Sequence, residues 1–213
     1  MTIFKLPRVI ARPTVEPVSL AEARLHLRLD VYDSPAMHPD DDLVTAQISA
    51  AREVAEKFIG RAIAVQTLEI GLDEFPGGTV GSCRRAQEPI ALPGLLSLLS
   101  VTYVDGTGSH ALSSYQLDQF TNPPTLRPAA GEDWPIVSED TANAVRVRYL
   151  AGYTAQGDLP DTDPLPSPVR SAILLILGHL YENREDTAPI TIEEIPMGAK
   201  WLLRPYRLES ALA

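Results

Sequence analysis

Cysteine is almost absent from this chain: Cys83 is the only one in 213 residues. No internal disulfide can staple the fold, so the expected origin is a reducing, cytoplasmic compartment. Nothing before Val18 has the apolar run of a signal peptide. No stretch reaches the roughly 18 to 20 consecutive apolar residues of a membrane span, because Arg170 and His179 bracket the longest candidate. Basic residues are also scarce, 18 against 28 acidic for a net charge of -10. That balance excludes a general nucleic-acid binder, whose affinity rests on neutralising phosphates. DNA can pass such a surface without being gripped. There is no internal repeat, and the 45% hydrophobic content is ordinary for a chain that buries a sizeable core.

Catalytic signatures are missing as well. An enzyme should show a nucleophile with its base and orienting group, or a ligand cluster. His179 and Glu182 stand three apart on one predicted helix with no second metal motif, Cys83 sits beside Arg84 and Arg85 as a lone thiol, and His26 and His110 have no evident partner. The Asp105-Gly-Thr-Gly108 stretch reads as a hairpin turn and lacks the flanking structure of a phosphate loop.

What is present is ordered punctuation. Ser19 and Glu22 form a capping box ahead of Leu20, Ala23 and Leu27, giving a short first helix that ends near Leu29. Before it, Pro7, Pro13 and Pro17 make an extended arm, either a loosely docked terminus or a strand that pairs with a neighbour. Asp40, Asp41 and Asp42 suit the positive end of a second helix, whose Val44, Ile48, Ala51, Ala55 and Phe58 share a face and which Gly60 stops. The competing reading makes His38 and these aspartates a metal site.

From Ile63 to Tyr153 the period falls to two: Leu68, Ile70 and Leu72; Leu99, Val101 and Tyr103; Tyr115 and Leu117; Val145, Val147 and Tyr149. Arg146 and Arg148 occupy the opposite face of the last strand. A proline- and aspartate-rich connection, 155–168, then leads to a helix that Ser167 should cap and Pro168 should begin. Val169, Ile173, Ile176, Leu177 and Leu180 lie on one stripe, Leu174 and Tyr181 widen it, and Leu175 falls on the far side. That helix is either buried within its own domain or touches another subunit. Pro196 opens a last helix with Ala199, Trp201, Leu202 and Leu203, which Pro205 ends or kinks. Residues 195–213 carry Lys200, Arg204 and Arg207 against Glu209 alone, a basic tail on an acidic chain.

The expected fold class is α+β: a helical core of about four helices built from both chain ends, with a β-rich insertion in the middle. The segments are 1–62 (arm and first two helices), 63–155 (the insertion) and 156–213 (linker, central helix and closing segment of the same helical domain).

The run Pro17-Val-Ser-Leu-Ala-Glu-Ala-Arg-Leu-His-Leu-Arg-Leu-Asp30, with Asp41-Asp42-Leu and Ala50-Ala-Arg-Glu53, resembles the N-terminal half of tailed-phage head-tail connector proteins, also called adaptors or head-completion proteins. Pro168 to Glu185 and Ile195-Pro-Met-Gly-Ala-Lys-Trp-Leu-Leu-Arg-Pro-Tyr-Arg207 resemble that family's late helix and closing motif. Adaptors of phage-like gene transfer agents belong to the same group. The resemblance implies a structural protein in the virion neck at the portal vertex, with no catalytic residue, cofactor, metal or membrane partner. It would form a ring of about twelve copies between the portal protein and a stopper or tail-side neck protein, with DNA passing through the lumen. It further implies that Trp201, Leu202, Leu203, Arg204, Tyr206 and Arg207 dock on the portal, and it leaves Leu175 to meet a neighbouring subunit. Deleting 196–213 should then remove portal binding and leave a folded monomer. Two rivals come from other classes: a metal-dependent phage hydrolase using His38, Asp40, Asp41 and Asp42 or His179 and Glu182, and a transient assembly-binding module.

Overall fold

Ser19 Oγ accepts the Glu22 N–H at 3.2 Å and starts α1 (Leu20–Leu27), which Arg28 ends in the left-handed conformation at φ 56°. The Glu22 carboxylate does not close the box. It accepts Arg170 Nη1 at 2.9 Å instead, a partner 148 residues away that outcompetes the local backbone donor. Helix α2 (Asp41–Ile59) ends at Gly60, whose φ of 75° is the left-handed stop the sequence marks. Helix α3 (Ser167–Glu182) begins one residue before the expected position. Pro166 holds the boundary at φ -59° and ψ 134°, so Ser167 is already helical and its side chain makes no capping bond. Helix α4 (Met197–Leu203) follows Pro196, and Pro205 turns the chain into a short 3-10 segment, Arg204–Tyr206. This computed structural model describes residues 7–29, 38–77, 88–138, 140–153, 165–184 and 195–208. Cys83 with Arg84 and Arg85, the 30–37 loop and residues 155–164 of the 155–168 connection lie outside them.

The four helices share one core. Helix α2 contributes Val44, Ile48, Ala51, Ala55 and Ile59, α3 contributes Val169, Ala172, Ile173, Ile176 and Leu177, and Ala23, Ala199 and Leu203 come from α1 and α4. Alanines at Ala51, Ala55, Ala172 and Ala199 keep the helix axes close, and the leucines and isoleucines between them fill the layers. Phe58 and Leu180 border this core, partly buried.

The chain divides into two compact units. The helical unit is drawn from Thr14–Ala64 and Tyr153–Ala213, the other from Met1–Pro13 and Val65–Gly152. The N-terminal strand therefore groups with the β-rich insertion. In that unit β1 (Arg8–Ala11), β2 (Gln66–Leu72), β4 (Leu95–Asp105), β5 (Gly108–Ala111) and β8 (Val145–Ala151) form a sheet of order β1-β2-β8-β4-β5. A second sheet has β3 (Ile90–Ala91), β7 (Thr125–Pro128) and β6 (Tyr115–Asp118) in the order β3-β7-β6. All pairings are antiparallel. The fold class is α+β, with helices from both chain ends around a sheet-rich middle, as the sequence indicates.

Central strand β8 buries Val145, Val147 and Tyr149 and leaves Arg146 and Arg148 exposed, a half-buried strand read directly from alternation. Phe75 stacks on Trp134 with ring centroids 4.6 Å apart and anchors the buried side. The Asp105–Gly108 hairpin does not lead to the Tyr115 strand as expected. It returns through β5, and the Tyr115 strand joins the second sheet.

A buried cation ties the places where the chain enters and leaves the helical unit. Arg52 is 4% exposed, donating Nε to Glu16 Oε2 at 2.8 Å and Nη1 to Glu56 Oε2 at 2.6 Å. Ser49 Oγ donates to Glu16 Oε1 at 2.9 Å, which orients that carboxylate. Glu56 Oε1 accepts the Ile63 and Ala64 N–H groups at 2.7 and 3.2 Å, and Ile63 O accepts the returning Tyr153 N–H at 2.8 Å.

Candidate docking surface

Helix α4 has only seven residues, so its two faces can be assigned one by one. At 100° per residue Ala199 and Leu203 share a face, and both are fully buried. Met197, Trp201 and Arg204 share the opposite one, where Met197 is 68% and Trp201 77% exposed and Arg204 faces solvent. Trp201 does not close the core against α3. Ala199 and Leu203 do that, because they occupy the inward positions.

The patch continues onto α3. Leu175 is 38% exposed, and its Cδ1 lies 3.6 Å from where a Cβ on Gly198 would stand. The Leu175 side chain thus lies alongside α4 at ordinary contact distance from position 198, next to the helix that exposes Met197 and Trp201. Leu202 and Tyr206 are half-buried against the helical core. The Arg207 guanidinium lies 5.3 Å from the centre of the Phe58 ring, so this arginine already has an intramolecular seat. Of the seven residues named from the sequence, Trp201, Arg204 and Leu175 are exposed, Leu202, Tyr206 and Arg207 are partly covered, and Leu203 is interior. Met197 was missed; its position four before Trp201 was the available signal.

The aspartates at the start of α2 have partners of their own. Asp41 Oδ1 accepts Arg24 Nε at 2.7 Å, its other oxygen pairs with Arg24 Nη2, and it takes the His38 N–H at 2.8 Å. These bonds, the Arg24 side chain first, hold its carboxyl below the ordinary carboxylate range. Asp40 Oδ2 accepts the Tyr181 hydroxyl at 2.6 Å and Arg184 Nη2 at 2.7 Å, which lower its pKa in the same way and raise that of the Tyr181 phenol. The Arg184 guanidinium also lies 4.4 Å over the Tyr181 ring. Asp40 and Asp41 therefore point to different partners, one on α3 and one on α1. His179 Nδ1 lies 3.2 Å from Asn183 Nδ2, and Glu182 faces solvent. Among the described residues no three His, Cys, Asp or Glu side chains gather as a metal-binding group. Among them, too, no helix is long and apolar enough to cross a membrane.

No protein-family model matches the sequence, and no curated protein does. Solved structures do match its fold. A chain of the structure described as "Neck of empty GTA particle computed with C6 symmetry" superposes with a TM-score of 0.71 at 19% identity, covering 95% of each chain. A chain of the "Virion of native gene transfer agent (GTA) particle" gives 0.64 at 19% identity over 93% of this chain and 95% of that one. A chain of the "Neck of native GTA particle computed with C12 symmetry" gives 0.64 at 18% identity, with 95% of each covered. This protein shares, over nearly its full length, the fold of chains found in gene transfer agent particles and their necks.

Proposed function

We propose that this protein is a structural head-tail connector, or adaptor, in the neck of a tailed phage or a phage-like gene transfer agent. The observation that carries the reading is the fold match across 95% of both chains to a gene transfer agent neck chain. In this reading about twelve copies form a ring between the portal protein and a stopper or tail-side protein. The protein is not an enzyme; it acts through the surfaces it presents. The acidic surplus lies in the helical unit, with 18 acidic against 10 basic residues. An inner wall where Asp and Glu outnumber Lys and Arg repels the phosphate backbone and lets DNA slide.

The portal contact is the exposed face of α4. Trp201 and Met197 fill apolar pockets on the portal, Arg204 pairs with an acidic group at its border, and Leu175 on α3 meets the neighbouring subunit beside that contact. Leu203 supports that surface from inside. The broad deletion of 196–213 is a poor test, because it removes Ala199, Leu203 and Leu208 from the interior along with the surface. Point variants separate the two. Trp201→Ala should change folding stability by less than about 0.5 kcal/mol, as exposed positions do, yet weaken capture by portal-bearing capsids about 30-fold, the equivalent of about 2 kcal/mol. Capture equal to that of the parent protein would overturn the docking assignment.

A further inference from the structure

Strand β4 opens with Leu95-Leu-Ser-Leu-Leu-Ser100, and none of its four leucines is buried, Leu99 being 53% exposed. The reason lies in the sheet. On one side these residues pair with β8, but β5 covers only Thr102–Asp105 on the other. The last backbone bond on that side before the open stretch runs from Leu112 N–H to Val101 O at 2.8 Å. Among the described residues nothing pairs with the outward edge of Leu95–Ser100. Exposed edges are ordinarily guarded by charge, proline or brevity. This one has six residues without a charge or a proline, and its only irregularities are register breaks at Leu96 and Leu99.

The opposite border of the same sheet is complementary in kind. Strand β1 pairs with β2, and among the described residues nothing pairs with its outer edge, Val9 and Ile10 being 45% and 43% exposed, with a register break at Ile10. Neither edge carries an acidic residue, on a chain of net charge -10 whose surfaces otherwise repel their own copies.

We propose that the outer edge of β1 in one copy pairs with the Leu95–Ser100 edge of β4 in the next, so that the sheet runs from subunit to subunit. The partner is a second copy of this chain, and the proposal rests on the ring reading given above. A closed ring of identical subunits needs two different surfaces per copy that fit each other head to tail, and a sheet with two open apolar edges supplies them. The breaks at Ile10, Leu96 and Leu99 keep the shared ladder short and turn those side chains outward, so the contact combines a few backbone bonds with Val9 and Ile10 packed against Leu96 and Leu99. The same breaks prevent a long flat edge from recruiting strands without limit.

The test uses neck complexes purified from particles that carry Ile10→Cys and Leu99→Cys together in a Cys83→Ser background. Mild oxidation should link neighbours into a ladder of dimers, trimers and higher species on non-reducing gels, while each single-cysteine protein stays monomeric. Leu99→Lys should prevent ring formation while leaving the thermal unfolding of the free chain unchanged. Intact rings in micrographs without cross-linking, or rings formed by Leu99→Lys, overturn the edge pairing and leave the connector reading standing. Dimers from either single-cysteine variant indicate a two-fold contact and also overturn it. Necks with no ring of this chain overturn the connector reading and the edge pairing together.

Discussion

Removing the guanidinium of Arg52 should cost the helical unit more than any surface change. Arg52→Ala removes the cation that Glu16 and Glu56 share, and Glu56 is the more deeply held of the two. Its Oε1 is fixed by the Ile63 and Ala64 N–H groups while Oε2 loses the 2.6 Å bond from Arg52. Breaking a buried pair by deleting one partner costs about 3–5 kcal/mol. Partial solvent access at Glu16, whose side chain is 26% exposed, puts the expectation at about 3 kcal/mol. Urea unfolding followed at 222 nm reports on the helical unit and measures the loss.

The pH dependence gives a second, independent reading. Burial already pushes the Glu56 carboxyl above its ordinary range, against the opposing pull of the Ile63 N–H and of Arg52. Without Arg52 that pull weakens and the pKa in the folded protein rises further. A folded-state pKa above the unfolded value of about 4.3 means the native state binds the proton more tightly. The penalty is therefore fully present above the raised pKa and is relieved as pH falls through it. The gap between parent and Arg52→Ala should narrow from pH 7.5 to pH 5.5, and Glu56→Gln in the Arg52→Ala background should remove most of that narrowing. A loss under about 1 kcal/mol, or one that is the same at both pH values, would refute the assignment of Glu56 as the carboxylate that Arg52 stabilises.

Gly178 on α3 offers a gain. A Cβ there would lie 3.5 Å from His26 Nε2, ordinary contact, so Gly178→Ala should stabilise the helical unit by about 0.5–1 kcal/mol in urea unfolding; destabilisation would mean that α1 and α3 pack more closely at this point. At the β4–β5 turn, the Thr107 hydroxyl and N–H donate to Asp105 Oδ1 at 2.6 and 2.7 Å and hold its carboxyl at about 2. Since that value is depressed, the turn's contribution is present above the unfolded pKa of about 3.9 and is lost as pH falls toward 2. A carbon-detected NMR titration should find Asp105 still ionised at pH 3; a midpoint near 3.9 would contradict the turn geometry.

Helices α2 and α3 were legible because their apolar residues recur at three and four and both keep that face inward. Alternation revealed β8 for the same reason. The errors arose where a distant residue decided the outcome. Pro166-Ser-Pro168 contains two acceptable starts, and the structure uses the first. The Ser19 capping box lost its second half to Arg170, which no local rule brings near Glu22. No local spacing links Arg52 to Glu16, and only the fold brings that carboxylate from 36 positions earlier onto it. Leu99 alternates with Val101 and Tyr103 in the sequence, yet its exposure depends on where β5 stops. Trp201 is a different case: in so short a helix, spacing alone sets it nearly opposite Ala199, so its exposure was available from the sequence.

The acidic surplus and the exposed apolar groups make sense only together. Trp201, Met197, Leu99, Val9 and Ile10 all face solvent, which would promote indiscriminate association of free chains. A net charge of -10 opposes that at a distance, while neither sheet edge carries an acid that would oppose contact once copies meet. Charge therefore sets the barrier to association, and apolar packing sets the strength. The two respond oppositely to salt: screening shortens the reach of the repulsion from about 14 Å at 0.05 M to about 4 Å at 0.5 M and leaves apolar burial intact. Self-association of the purified chain, followed by sedimentation velocity, should strengthen across that range and weaken in Leu99→Lys at every salt concentration. Assemblies that dissolve as salt rises would show that ion pairs, with Arg8, Arg146 and Arg148 the cations on the strands of the five-stranded sheet, hold the copies together and that the leucine edge does not.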